Sequence, residues 1–264
     1  MQVLLLDSSE TVARRAADAV CRQIERKPDC VLGLATGGTP LALYGELIRR
    51  HQAGMVSFKD VTTFNLDEYV GLAPDHPRSY RAFMQAHLFD HIDIQLERTH
   101  LPDGLAANPL AEGAAYEEKI HAAGGIDLQV LGIGRDGHIA FNMPTSSLVS
   151  RTRIKTLTNE TLEDNQRFFK AEEFQPHLAL TMGIGTILDA RHIVLLATGF
   201  SKSSAIADMV EGPVSALCPA SALQMHNKVQ VLIDSEAAAN LKYTRYYQLA
   251  LEEQDALEEK FGHG

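Results

Sequence analysis

Short, almost uninterrupted apolar runs alternate along the chain with stretches whose apolar residues recur every three to four positions. The runs are Val3–Leu6, Cys30–Leu34, Val61–Leu66, Leu128–Ile133, Ile193–Ala197 and Val229–Ile233. Runs of this length without polar alternation read as strands buried on both faces, the usual form of parallel strands in a covered sheet. After the first run, Val12, Ala16, Ala19, Val20 and Ile24 share one helical face, with Ser8 and Ser9 placed to cap the helix and Lys27-Pro28-Asp29 to stop it. Strand, loop and helix repeat in this order. The pattern predicts an α/β fold, a three-layer αβα, Rossmann-like arrangement around a doubly wound, mostly parallel sheet. No Ser/Pro-rich linker, repeat or low-complexity tract divides residues 1–264, so a single domain is expected.

Sheets of this kind bind ligands beyond the carboxyl ends of their strands, so polar residues that follow the runs carry the most weight. Four segments qualify: Thr36–Thr39, Asp67-Glu68, Asp136 with His138, and Gly199–Lys202. Thr36-Gly37-Gly38-Thr39-Pro40 leads into a helix expected from Leu41 to about Arg50. Glycines let the backbone approach a ligand, and the amides and positive dipole end of the following helix suit an anion such as phosphate. A tight strand-to-helix turn with no ligand would read the same way. Lys202 and Arg167 offer positive charge near such a site, although either alone also reads as a solvated surface cation. Asp67, at the end of an apolar strand, is placed to be a partly desolvated base, and equally to be a helix cap. Asp136 and His138 share the segment Gly134-Arg135-Asp136-Gly137-His138. Two carboxylates and an imidazole at strand ends suit proton transfer on a small polar substrate.

Charge and composition narrow the class. There are 24 basic and 34 acidic side chains, a formal charge of −10, which argues against nucleic acid or an acidic membrane as partner and requires a local basic site for any anionic ligand. Cys21, Cys30 and Cys218 form neither a CxxC pair nor a secreted-type framework, in keeping with a reducing cytoplasm. No leader pattern stands at the start and no run approaches the ~18 apolar residues of a membrane span, so a soluble cytoplasmic protein is expected. Gly132 to Gly137 fits G-x-G-x-x-G, but Pro144 and a Ser-rich stretch follow where a dinucleotide site needs a helix. His87 and His91 have the spacing of a helical metal pair, yet Leu88 stands where the glutamate of H-E-x-x-H would be, and a helix surface carrying two histidines is the simpler expectation. No G-x-S-x-G elbow is present.

The longer motifs are more specific. Gly33-Leu34-Ala35-Thr36-Gly37-Gly38-Thr39-Pro40, Thr63-Phe64-Asn65-Leu66-Asp67-Glu68-Tyr69-Val70-Gly71-Leu72, Asp136-Gly137-His138-Ile139-Ala140-Phe141-Asn142 and Ser150-Arg151-Thr152-Arg153-Ile154-Lys155-Thr156-Leu157-Thr158 together closely resemble the glucosamine-6-phosphate deaminase family. The likeness is collinear over nearly the whole chain and weakens after about Asp234. It implies that Gly38, Thr39, Arg167 and Lys202 hold a sugar 6-phosphate and that Asp67 moves a proton between C2 and C1. It further implies that His138 opens the pyranose ring, that Asp136 supports the histidine and the reacting centre, and that no metal or organic cofactor is needed. Ser146, Arg153 and Lys155, with Tyr246 as a further candidate, match the site where allosteric members bind N-acetylglucosamine 6-phosphate between subunits of a homohexamer.

One position departs from the pattern. The family's loop usually reads Gly-His-Ile-(Ala/Gly)-Phe-Asn-Glu-Pro, and its glutamate falls at Met143. A thioether neither stabilises an imidazolium by charge nor accepts a strong hydrogen bond, so His138 is expected to lack an orienting partner unless an acid such as Glu160 or Glu163 reaches it. Two competing readings follow: a related sugar-phosphate hydrolase such as a 6-phosphogluconolactonase, and a sugar-phosphate sensor that binds without turnover.

Overall fold

The computed structural model describes residues 1–157 and 175–261. Its strands are β1 (Gln2–Leu6), β2 (Val31–Leu34), β3 (Thr62–Asn65), β4 (Asp67–Tyr69), β5 (Thr99–His100), β6 (Leu128–Leu131), β7 (Arg153–Thr156), β8 (Leu178–Thr181), β9 (Ile193–Ala197) and β10 (Val229–Asp234). Each of the six apolar runs contains a strand. Seven strands pair in the order β1-β10-β9-β6-β2-β3-β5, every pair parallel. The alternation of side chains across this sheet builds two cores. Val194, Leu196 and Leu232 point to the face covered by helix α1 (Ser9–Arg26) and helix α2 (Gly38–Gln52). Leu195, Val231 and Ile233 point to the other, covered by helices that include Ser203–Val210. This is the expected three-layer, doubly wound arrangement.

Helix α1 starts where the sequence places it, with the Ser8 side chain accepting a hydrogen bond from the Thr11 amide. Helix α2 starts earlier than expected, at Gly38, because Gly37 takes φ +108° and turns the chain into the helix immediately. A residue with a Cβ resists that conformation, and Gly37 is therefore what brings Gly38 and Thr39 into the helix's first turn.

A second, antiparallel sheet of order β4-β8-β7 stands beyond the carboxyl edge of the first. Leu66 joins the two: its amide donates to Leu34 O at 3.1 Å, and its carbonyl accepts from the Met182 amide at 2.7 Å. Asp67 is thus the first residue of the small sheet rather than part of a loop. Between this sheet and the segment after β6 lies an apolar cluster of Tyr69, Leu72, Phe141, Met143, Leu157 and Ala179.

The remaining helices include α3 (Tyr80–His87), capped by Ser79, and α4 (Pro109–Ala122), capped by Asn108. His87 closes α3 while His91 lies in a separate 3-10 turn, so the two do not share one helix face as expected. Leu88 breaks the helix between them by leaving helical geometry, with φ −144° and ψ −59°. Burial pushes the Cys30 thiol up to about 12 and the Cys218 thiol upward as well, which leaves both poorly nucleophilic. No helix among the described residues is long and apolar enough to cross a membrane.

Candidate active site

The central sheet changes direction next to β2, which has β3 on one side and β6 on the other, and the loops leaving β2, β3, β6 and β9 converge there. They enclose a cavity of about 680 Å³. Its floor is the start of α2. The first turn of that helix carries no acidic residue, so neither its amides nor its dipole is neutralised from within, as an anion site requires. Lys202 enters the cavity from the loop after β9, at the end of a short 3-10 turn (Phe200–Lys202). Asp234, at the end of β10, fixes that loop: its carboxylate accepts from Gly199 N at 3.1 and 3.0 Å and from Ala237 N at 2.8 Å. Sequence reasoning passed over Asp234, although an acid ending a buried strand is the same signal that drew notice to Asp67.

The same cavity is lined by Asp67, Asp136 and His138, groups able to exchange protons. Asp67 is buried, and desolvation, reinforced by the neighbouring Glu68 charge, pushes its carboxyl up to about 8. Glu68 points away. Its carboxylate accepts from the amides of Tyr69, Tyr80 and Arg81 and so ties the small sheet to the start of α3. Burial raises Glu68 too, against the pull of those donors. The docked helix delivers Tyr80 to the cavity, where its ring stacks on Phe141 and its hydroxyl donates to Tyr69 Oη at 3.1 Å. Neither aromatic was foreseen as part of the site.

On the third side, His138 Nδ1 lies 2.6 Å from Asp136 Oδ1. That hydrogen bond holds the Asp136 carboxyl below its ordinary range. An ionised carboxylate only accepts, so Nδ1 carries the proton and Nε2 is left as the proton acceptor. The support that the resemblance implies for His138 thus takes the form of a direct hydrogen bond from Nδ1 to the Asp136 carboxylate in the same turn. Met143 lies in the apolar wall, 7 % exposed. A carboxyl introduced there would be desolvated, its pKa raised and its charge costly. Met143→Glu is expected to lower Tm and to change kcat by less than about 10-fold, because one oriented partner already supplies what positioning adds to general acid–base catalysis. Melting curves and a rate assay on one preparation check both.

Seven residues singled out from sequence line this one cavity: Gly38, Thr39, Asp67, Asp136, His138, Met143 and Lys202. Arg167 lies outside the described residues, as do Glu160 and Glu163. Ser146, Arg153 and Lys155 do not line it. Ser146 is one turn from the wall, its amide donating to Met143 O at 3.0 Å, and its hydroxyl is buried without a partner among the described residues. Arg153 and Lys155 are half-buried at alternating positions of β7.

The family model described as glucosamine-6-phosphate isomerases/6-phosphogluconolactonase matches residues 7–232. The chain belongs to this family. Among its members, a glucosamine-6-phosphate deaminase of Hahella chejuensis is 62% identical over 94% of this chain and 95% of its own. One from Cellvibrio japonicus is 54% identical across 100% of both. A solved structure of a monomeric glucosamine-6-phosphate deaminase superposes with a TM-score of 0.88 at 46% identity, covering 91% of this chain and 100% of that one. A 6-phosphogluconolactonase from Trypanosoma cruzi shares the fold at a TM-score of 0.74 and 21% identity, over 91% of this chain and 97% of its own. Within the family, the deaminase members are the nearer in sequence.

Proposed function

We propose that this chain is a glucosamine-6-phosphate deaminase that converts glucosamine 6-phosphate and water to fructose 6-phosphate and ammonia, working as one cytoplasmic domain. The observation that carries the reading is the convergence, in one cavity, of a helix N-terminus and a lysine with a buried carboxyl and an oriented histidine. The 6-phosphate is held by the amides of Gly38 and Thr39 and by Lys202, with Arg167 as a further contact by resemblance. Held at that end, the sugar presents C1 and C2 to the proton-transfer groups. His138 Nε2 takes the C1 hydroxyl proton and returns it to the ring oxygen, opening the pyranose. Asp67 takes the C2 proton and delivers it to C1. The resulting imine adds water and expels ammonia.

Lys202→Ala is expected to raise KM by about 10- to 100-fold and to leave kcat much less affected, since a hydrogen bond from a charged donor is worth about 1.5–3 kcal/mol. Initial rates across substrate concentration check it. The lactonase reading is tested on the same protein: turnover of glucosamine 6-phosphate with none of 6-phosphogluconolactone supports the deaminase, and the reverse overturns it.

A second phosphate site, taking N-acetylglucosamine 6-phosphate as an activator between subunits of a hexamer, forms the finer part of the proposal. It is supported by the buried Ser146 hydroxyl and by Arg153 and Lys155, which have no carboxylate partner among the described residues. Two cations side by side suit an anion. Sigmoidal kinetics that become hyperbolic with that ligand, in a hexamer by light scattering, are the expected result; hyperbolic kinetics indifferent to it remove the site.

A further inference from the structure

The His138 ring occupies space that a side chain at position 134 would fill. A Cβ built on Gly134 would stand 2.2 Å from both Cε1 and Nδ1 of His138 and 2.7 Å from its Cγ. These are contacts no real carbon makes, and all are with the imidazole. Gly134 has no positive φ, so the backbone itself would accept alanine. The loop is also closed on itself: Gly134 N donates to His138 O at 2.9 Å, Gly137 N donates to Gly134 O at 3.2 Å, and Gly137 takes φ +80°. On its outer side Gly137 is backed by Cys218, whose Sγ would lie 2.6 Å from a Cβ there, while Ala220 N donates to Gly137 O at 2.9 Å. The loop cannot back away from an added methyl group without losing these contacts. The ring must swing, and swinging breaks the 2.6 Å bond to Asp136.

We infer that Gly134 is a positioning residue for the reaction, a bare backbone platform on which the His138 imidazole lies so that Asp136 holds Nδ1 and Nε2 faces the substrate. The inference rests on the deaminase reading for its kinetic arm alone. Residue 134 makes no contact assigned to the phosphate, so its effect separates kcat from KM.

The test compares Gly134→Ala, His138→Ala and the double variant with the parent protein. Gly134→Ala is expected to lower kcat for ammonia release about 100-fold, the scale of a 1 Å misplacement of a reacting group, with KM within about threefold. The parent is expected to show the far-downfield proton resonance of a histidine Nδ1–H bonded to a carboxylate, and Gly134→Ala to lose it. With the ring removed the methyl group has room, so the double variant is expected to fold and to match His138→Ala within about threefold, as residues acting as one unit do. A Gly134→Ala protein that keeps its resonance and its kcat overturns the inference. So does a double variant that is far slower than His138→Ala, or that fails to fold where His138→Ala folds. If the parent releases no ammonia, the deaminase reading fails, while the resonance and the folding of the double variant still decide the role of Gly134.

Discussion

Asp67→Asn is expected to lower kcat by about 10²–10⁴-fold, the range spanned by general acid–base catalysis, while the Kd for the sugar phosphate stays within a few-fold. The amide keeps the shape of the side chain and the anion site, and removes only the base. The same residue sets the pH dependence. Only the ionised carboxylate accepts a proton, and burial raises Asp67 to about 8, so kcat/KM of the parent is expected to climb through about pH 8. A cationic amine bound beside Asp67 favours its charged form, so kcat is expected to rise at lower pH than kcat/KM. Stability should move the opposite way. Between the ordinary Asp value of about 4 and the folded value of about 8, the folded state binds the proton that the unfolded state has released, so unfolding free energy falls as pH rises through this window. Asparagine does not titrate, so Asp67→Asn is expected to lose that slope and to melt higher than the parent at pH 8. Near-parental turnover would show that Asp67 is not the base, and parallel melting profiles from about pH 5 to 8 would show that it is not buried as described.

Asp136→Asn is expected to cost about 10²–10³ in kcat, within the range of general acid–base catalysis. The carboxylate dictates that Nδ1 carries the proton. An asparagine amide can turn its N–H₂ toward Nδ1 instead and stabilise the tautomer whose Nε2 is blocked by a proton, so geometry survives while chemistry stops. KM should change little, because the phosphate contacts lie on α2 and after β9. Asp136→Glu separates charge from reach: a carboxylate one methylene longer keeps the charge and loses the 2.6 Å geometry. Recovery of less than a tenth of the parental kcat by Asp136→Glu would place the requirement on position. Full activity in Asp136→Asn would mean that His138 is oriented by some other group.

Six of the seven central strands were legible because they are largely buried on both faces and so leave apolar runs with no alternation, whereas β5 is two residues long and leaves no run. The small sheet was not legible. Asp67-Glu68-Tyr69 reads as a polar loop, and only the fold shows Glu68 buried against the amides of α3. Strand β7, Arg153–Thr156, has no buried residue to mark it. Much the same divides the site. Glycines before a helix and an acid ending an apolar run announced Gly38, Thr39 and Asp67 from local signals. Tyr80 and Phe141 reach the cavity through tertiary packing that no short motif encodes. The most instructive difference concerns His138. The resemblance already implies Asp136 as the support of His138, and the turn built on Gly134 and Gly137 brings the two into direct contact; what the motif alone does not show is that this contact shares its cavity with Met143, where the family has its glutamate.

The central claim is that Asp67, Asp136 and His138 act on an amino sugar held by its phosphate. It is tested most directly by following ammonia and fructose 6-phosphate together when the purified protein meets glucosamine 6-phosphate. Equal amounts of both products, released over many turnovers without added metal or cofactor, are the predicted result. Saturable binding of glucosamine 6-phosphate in calorimetry with neither product formed would contradict it and leave a sugar-phosphate sensor in its place.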